Sequence, residues 1–88
     1  MGEVAAKIKI MPQGIETDHE RLKGDIKAAM PDGAKLYGIT EEAIAFGLKA
    51  LIATVIIDDV EGGTERIEEM FAKLDGVKSI QVIGLGLI

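Results

Sequence analysis

Apolar and polar positions alternate with a period of two near the start of the chain. One face of this segment carries only aliphatic residues: Val4, Ala6, Ile8 and Ile10. This period predicts a half-buried β-strand over residues 3 to 11. The strand is predicted to end at Pro12 and Gly14, which interrupt the pattern.

Apolar residues then recur at helical spacing. Thr17 is followed three residues later by Glu20, the pattern of a capping box, so a helix is predicted to begin at about Asp18. Pro31 ends this helix. Its apolar side, which needs a sheet beneath it, consists of Leu22, Ile26, Ala29 and Met30.

Two further extended segments follow. From Ala34 the pattern predicts one long, irregular second strand that runs to Phe46, and Gly47 ends it. Residues 48 to 57 are nearly all apolar, which is typical of a central strand covered along much of both faces. This segment is the predicted third strand.

The last third of the chain predicts a second helix and a fourth strand. Thr64 is the predicted N-cap, and Gly76 suits a left-handed C-cap. The apolar residues between them follow the i, i+3, i+4, i+7 rule: Ile67, Met70, Phe71 and Leu74. Residues 77 to 85 resume an extended pattern.

The predicted element order is βαββαβ, with one apolar side on each helix. The most economical packing is an α+β fold of the ferredoxin-like class. It has a four-stranded antiparallel sheet in the order 4-1-3-2, with both helices on one face. No shift in composition marks a linker, so residues 1–88 are predicted to form a single domain.

The sheet face away from the helices is a candidate binding surface. If the odd-numbered residues of the third strand face the helices, then Ile52 and Ile56 lie on the other face, beside Lys7 and Lys9. Apolar residues next to lysines suggest a protein-binding surface, although single exposed apolar residues are also ordinary. The sequence leaves both interpretations open.

Composition narrows the classes of function. Fifteen Asp and Glu against ten Lys and Arg give a net charge of -5, and the chain has one Tyr and two Phe. This balance argues against a nucleic-acid surface and favours a basic protein partner. The chain has no Cys and no apolar run long enough to span a bilayer, so we expect a cytoplasmic protein without a membrane contact.

Residues that could carry chemistry are sparse. His19 has no second histidine or cysteine with which to hold zinc, and Ser79 lies in no nucleophile motif. Asp58, Asp59 and Glu61 lack the spacing of a calcium loop. We therefore expect no enzymatic activity, no metal site and no cofactor.

Four segments match a known family in the same order along the chain: residues 1–12, 42–51, 55–64 and 76–77. The most specific is Ile44-Ala45-Phe46-Gly47-Leu48-Lys49, which is similar to the eukaryotic pattern Pro-[Ile/Val]-Gly-Tyr-Gly-Ile-[Lys/Arg]-Lys-Leu. Together they resemble the archaeal form of the translation elongation factor 1-beta family. The resemblance covers essentially the whole chain.

This resemblance implies a guanine-nucleotide exchange domain that releases GDP from elongation factor 1-alpha during translation elongation and so permits GTP loading. In family members the domain disturbs the magnesium and phosphate end of the GTPase pocket, while another part grips the second domain of the GTPase. The implied partner contacts, by position, are Phe46, Gly47, Leu48, Lys49, Leu87 and Ile88. We expect a monomer without direct nucleic-acid contact.

One position departs from the family pattern. Eukaryotic homologues end in a lysine and an apolar residue, and the family mechanism assigns the displacement of magnesium to that lysine. The matching residue here is Leu87, which carries no charge. Either another lysine, Lys49 or Lys78, takes that role, or apolar residues such as Phe46, Leu87 and Ile88 wedge the switch region of the partner.

A second function fits the same element order. A small-ligand regulatory domain would bind its ligand near Gly14, where the backbone is accessible, and would dimerise through a sheet edge. That alternative predicts a stable dimer that is stabilised by an amino acid or a similar ligand. The exchange factor predicts a monomer whose stability does not change with such ligands.

Overall fold

The computed structural model of the protein describes residues 3–14, 16–30, 34–58 and 63–87. Six elements follow one another in these ranges: β1 (Glu3–Pro12), α1 (His19–Ala28), β2 (Ala34–Ala43), β3 (Lys49–Asp58), α2 (Gly63–Ala72) and β4 (Val77–Leu87). The element order predicted from the hydrophobic pattern is therefore confirmed.

All four strands form one antiparallel sheet in the order β2-β3-β1-β4. This is the predicted order read from the other edge, so the ferredoxin-like α+β arrangement is confirmed. The strands β1 and β3 occupy the centre. At the middle of the sheet, Ile8 of β1 lies opposite Ala53 of β3 and Val82 of β4.

The core lies between the sheet and the two helices. Each helix buries two large side chains in it, Leu22 and Ile26 from α1 and Ile67 and Phe71 from α2. The sheet contributes alternate residues of its central strands: Ala6, Ile8, Ile10, Leu51, Ala53, Val55 and Ile57. A one-residue slip in register would turn these side chains to the other face, so burial fixes the register.

The other face of the sheet is less open than the sequence suggested. Ile52 lies on it, as predicted, together with Ala50, yet Ile52 is only 9% exposed and Ala50 is fully buried. The register places Lys9 opposite Ile52, where a lysine stem can shield an aliphatic neighbour while its ammonium stays in water. Of the two interpretations left open by the sequence, the binding surface gains no support around Ile52.

The start of α1 differs by one residue from the predicted capping box. Asp18, not Thr17, is the N-cap, and its carboxylate accepts hydrogen bonds from the amides of Glu20 and Arg21 at 3.1 and 3.2 Å. A carboxylate is a stronger acceptor than a hydroxyl and also complements the positive end of the helix dipole. The Thr17 hydroxyl instead accepts from the amide of Gly14 at 3.4 Å.

The predicted ends of α2 also need correction. The helix begins at Gly63, so Thr64 lies inside its first turn rather than before it. Gly76 has the predicted left-handed backbone, with φ +93°, but it follows a turn beyond Ala72 and leads directly into β4. Its conformation therefore serves the entry to the strand and not the helix end itself.

Candidate functional site

A hairpin arm, defined here as residues 43–49, projects from one end of the sheet. Pairing between β1 and β3 extends to Ile10 and Leu51, whereas pairing between β2 and β3 continues outward to Ala43 and Lys49. Every residue of the arm except half-buried Leu48 is exposed. Because only β2 and β3 pair with each other there, the arm is a two-stranded ribbon. The long second strand predicted to reach Phe46 ends at Ala43 instead, because residues 44–48 form the connection.

The tip of the arm is a tight turn with Phe46 and Gly47 at its centre. The amide of Leu48 donates to the carbonyl of Ala45 at 2.9 Å, which closes the turn. Both central residues have positive φ, +54° for Phe46 and +80° for Gly47, the pattern of a type I′ turn. Asn-Gly is the preferred pair for this turn, and a left-handed backbone costs an ordinary residue roughly 1–2 kcal/mol.

Phe46 is the most exposed of the large hydrophobic residues in the described part of the chain. Its side chain is 96% exposed, so the fold gains almost nothing from its aromatic ring. The residue thus combines an unfavourable backbone conformation with an unfavourable exposed surface. Strained residues that the fold does not require are concentrated at functional sites.

The remaining arm residues form a shallow apolar groove beside the turn. The groove has a volume of about 150 Å³ and is lined by Ala43, Ile44, Ala45, Gly47, Leu48 and Lys49. Lys49 is exposed and forms no ion pair within the described residues. The structure therefore brings four of the six sequence-predicted contact residues together: Phe46, Gly47, Leu48 and Lys49.

The other two predicted contact residues lie at the opposite end of the sheet. Leu87 ends β4 opposite Val4, near the start of β1. Its side chain and all of Ile88 are outside the described part of the chain. Since β1 has ten residues and a strand rises about 3.3 Å per residue, the arm and the C-terminal tip are about 30 Å apart. They cannot reach the same small pocket.

Two apolar residues near the C-terminal tip were not among the predicted contact residues. Ile83 and Leu85 of β4 are exposed, and Ile83 lies at a break in the pairing with β1 between Lys7 and Ile8. An extra residue in one strand rotates the side chains that follow it, and simple alternation does not reveal such a bulge.

Charged residues meet the base of the arm on both faces of the sheet. Oε2 of Glu41 lies 3.2 Å from Nδ1 of His19 and 3.8 Å from Nζ of Lys23, both on α1. Oε2 of Glu42 lies 3.9 Å from Nζ of Lys9 on β1. Nε2 of His19 is buried and has no hydrogen-bond partner among the described residues. Glu41 and Glu42 were not among the predicted site residues.

Two other kinds of site were considered from the sequence, a metal site and a small-ligand site near Gly14. Within the described ranges, no cluster of His, Cys, Asp and Glu could hold a metal ion. The acidic cluster that begins at Asp58 falls on residues whose side chains are not described. A cavity of about 370 Å³ does adjoin Gly14, but Arg21, its one cationic side chain, already pairs with Asp75 at 3.3 Å.

No helix in the described part of the chain is long and apolar enough to cross a membrane.

The fold and the exposed arm define an α+β domain of the ferredoxin-like class. Solved structures share this architecture. The C-terminal domain of the MgtC protein from Mycobacterium tuberculosis superposes with a TM-score of 0.62 over 99% of this chain and 89% of that one, at 13% identity. The designed protein Foldit4 gives a TM-score of 0.59 over 96% of each chain, at 19% identity. These likenesses concern the fold alone.

A family profile described as the EF-1 guanine nucleotide exchange domain matches residues 5–88, and the chain belongs to this family. Elongation factor 1-beta of Methanosarcina acetivorans is 63% identical over 84 residues, 94% of each chain. Elongation factor 1-beta of Natronomonas pharaonis is 47% identical over 88 residues, the full length of both. The resemblance inferred from the sequence is confirmed. Membership of this family supports a guanine-nucleotide exchange role in translation elongation and does not favour the small-ligand alternative.

Proposed function

We propose that residues 1–88 form one exchange domain that promotes GDP release from elongation factor 1-alpha, and so its reloading with GTP, by holding this GTPase at two separate points. The first is the hairpin arm with Phe46, and the second is the C-terminal tip with Leu87 and Ile88. Family membership and the names of the relatives support the activity and the partner. The exposed, left-handed Phe46 is the observation that supports the first contact.

An exposed aromatic residue on a tight turn suits protein recognition. Transfer of a phenylalanine side chain from water to a protein pocket contributes about 1.5–3 kcal/mol. The turn holds Phe46 in one backbone conformation before binding, so little conformational entropy is lost when a partner closes around it. Gly47 permits this turn, while Leu48 and Lys49 extend the contact surface beside it.

Nucleotide release follows from linkage between the two ligands of the GTPase. A protein that binds the nucleotide-free form more tightly than the GDP form must weaken GDP binding by the same factor. A thousandfold faster release requires a dissociation barrier lower by about 4 kcal/mol. In this mechanism the arm contributes affinity and holds the tip, about 30 Å away, at the nucleotide pocket, and the contact made by the tip lowers the barrier.

The second contact is proposed to act through apolar residues. Leu87 stands where eukaryotic homologues have a lysine, and the two substitutes considered, Lys49 and Lys78, lie near the arm end of the sheet. Neither lysine can therefore reach the tip. We assign to Leu87 and Ile88 the displacement of part of the partner pocket by shape. This exchange breaks no covalent bond and uses no cofactor of its own.

The activity is tested by stopped-flow release of a fluorescent GDP analogue from archaeal elongation factor 1-alpha. With excess unlabelled GDP, this protein should accelerate release to a saturating rate. Phe46→Ala should raise the half-saturating concentration by about tenfold or more, because an aromatic hot spot contributes at least about 1.4 kcal/mol.

Tyr37→Ala is the matched control, since Tyr37 is an aromatic residue of β2 that is 77% exposed but lies outside the arm. It should behave like the unaltered protein. No acceleration by a folded protein with an active GTPase would refute the proposed function. An equal increase in the half-saturating concentration for the Phe46 and Tyr37 variants would refute the role of the arm. The monomeric state, the cytoplasmic location and the lack of nucleic-acid contact stay predictions.

A further inference from the structure

Two adjacent glutamates at the end of β2 contact opposite sides of the molecule. Glu41 lies opposite Leu51, a residue of the core face, and its carboxylate meets His19 and Lys23 of α1. Glu42 lies opposite Ala50 on the other face, and its carboxylate meets Lys9. These contacts, called the base contacts below, flank the point where the arm leaves the sheet.

The arm has little else to fix its direction. Pairing of β3 with β1 ends at Leu51, so the preceding residues of β3, Lys49 and Ala50, pair with β2 alone. A two-stranded ribbon without a third strand or a covering helix is marginally stable and twists easily. Of the seven arm residues only Leu48 is half-buried and the other six are exposed, so little apolar packing holds the arm against the body.

We propose that the base contacts position the hairpin arm, so that Phe46 is presented in one orientation. Bending the arm toward one face separates the contact on the other face. Glu41 and Glu42 therefore oppose bending in both directions. Their carboxylates act through the arm and do not themselves touch the partner, so they are positioning residues. The consequence for exchange rests on the proposed function, whereas the effect on arm mobility does not.

The experiment removes the carboxylate charge of each glutamate. A further variant exchanges the two charges of the Lys9–Glu42 pair. The variants are Glu41→Gln, Glu42→Gln and the two combined. The combination Lys9→Glu with Glu42→Lys exchanges the partners of one contact. The control is Glu69→Gln, which makes the same charge change on an exposed residue of α2 without an ion pair in the described ranges.

Two readouts separate positioning from a general loss of structure. Backbone ¹⁵N relaxation at residues 45–47, measured on the free protein, reports arm mobility on the picosecond-to-nanosecond timescale. GDP release from elongation factor 1-alpha gives the half-saturating concentration and the saturated rate. A melting curve for each variant shows whether the core is intact.

Each single variant should raise arm mobility and raise the half-saturating concentration about two- to fivefold, the range expected for one exposed ion pair. The double variant should exceed either single variant, and the saturated rate should not change. The exchanged pair should return within about twofold of the unaltered protein, and Glu69→Gln should match it.

Unchanged arm relaxation in the double variant would overturn the positioning role. So would a failure of the exchanged pair to rescue both readouts while its melting curve stays normal. If the unaltered protein does not accelerate GDP release, the proposed function fails, but the relaxation data still decide whether the base contacts hold the arm.

Discussion

Replacing Phe46 with asparagine should make the protein more stable and less active. Phe46 has φ +54° and is followed by Gly47 with φ +80°, so Phe46→Asn creates the Asn-Gly pair that type I′ turns prefer. The substitution removes a ring that is 96% exposed and therefore leaves no cavity in the core. The usual reason for a loss of stability on truncating an aromatic residue is absent here.

The size of the gain follows from the backbone alone. A left-handed conformation costs an ordinary residue roughly 1–2 kcal/mol, and asparagine adopts it far more readily. Relief of about 1 kcal/mol should raise the melting temperature by about 4–8 °C in a domain of this size. Exchange should weaken at the same time, because the amide side chain cannot fill an apolar pocket in the partner.

The assay combines thermal unfolding followed by circular dichroism with stopped-flow GDP release. Tyr37→Asn is the control, since Tyr37 is also an exposed aromatic residue, but Phe46 is the one non-glycine residue with positive φ in the described part of the chain. The control should not gain stability, because asparagine is disfavoured in a strand. A melting temperature for Phe46→Asn equal to or below that of the unaltered protein would refute the strain. Full exchange activity in that variant would refute the aromatic contact.

Three further predictions concern the rest of the molecule. Asp18→Ala removes the N-cap of α1, which accepts two amide hydrogen bonds, and should cost about 1 kcal/mol in denaturant unfolding. Exchange by that folded variant should not change. Gly76→Ala should lower stability by at least about 1 kcal/mol, since φ is +93° and the new Cβ would lie 3.1 Å from Nη2 of Arg21; an unchanged unfolding midpoint would contradict this. Because the net charge is -5 and the partner is expected to be basic, raising salt should slow association with elongation factor 1-alpha, and a salt-independent rate would exclude electrostatic steering.

The strands and helices of this chain are predictable because burial repeats with their periods. Ile8 and Ile10 alternate with lysines in β1, and Leu22 and Ile26 recur one turn apart in α1. Those patterns suffice for the element order, and the crossover rule then supplies the sheet order.

Features that depend on local backbone geometry or on distant partners are not visible in such patterns. The sequence pattern predicts Phe46 at the end of a strand because aromatic residues favour strands. The structure places it in a type I′ turn, where phenylalanine is not a preferred residue. The contact of His19 with Glu41 joins residues 22 positions apart, so it exists only after α1 has packed on the sheet. The motif around Phe46 could be found only through its family resemblance.

The separation of the candidate site into two ends was also beyond the sequence. The sequence analysis grouped Phe46 and Leu87 as contacts without a distance between them. Antiparallel pairing of β4 with β1 carries the C-terminal tip away from the arm, to the level of Val4. The topology therefore places the two groups of predicted contact residues at opposite ends of the sheet.

The claim of two separate contacts with different tasks is tested most directly by comparing two variants in the stopped-flow exchange assay. Phe46→Ala and a deletion of Leu87 and Ile88 are each titrated against elongation factor 1-alpha loaded with a fluorescent GDP analogue. We predict that Phe46→Ala raises the half-saturating concentration but leaves the saturated release rate unchanged, whereas the deletion lowers the saturated rate. The two-contact mechanism is contradicted if the deletion leaves the saturated rate intact, or if Phe46→Ala lowers that rate as much as the deletion does.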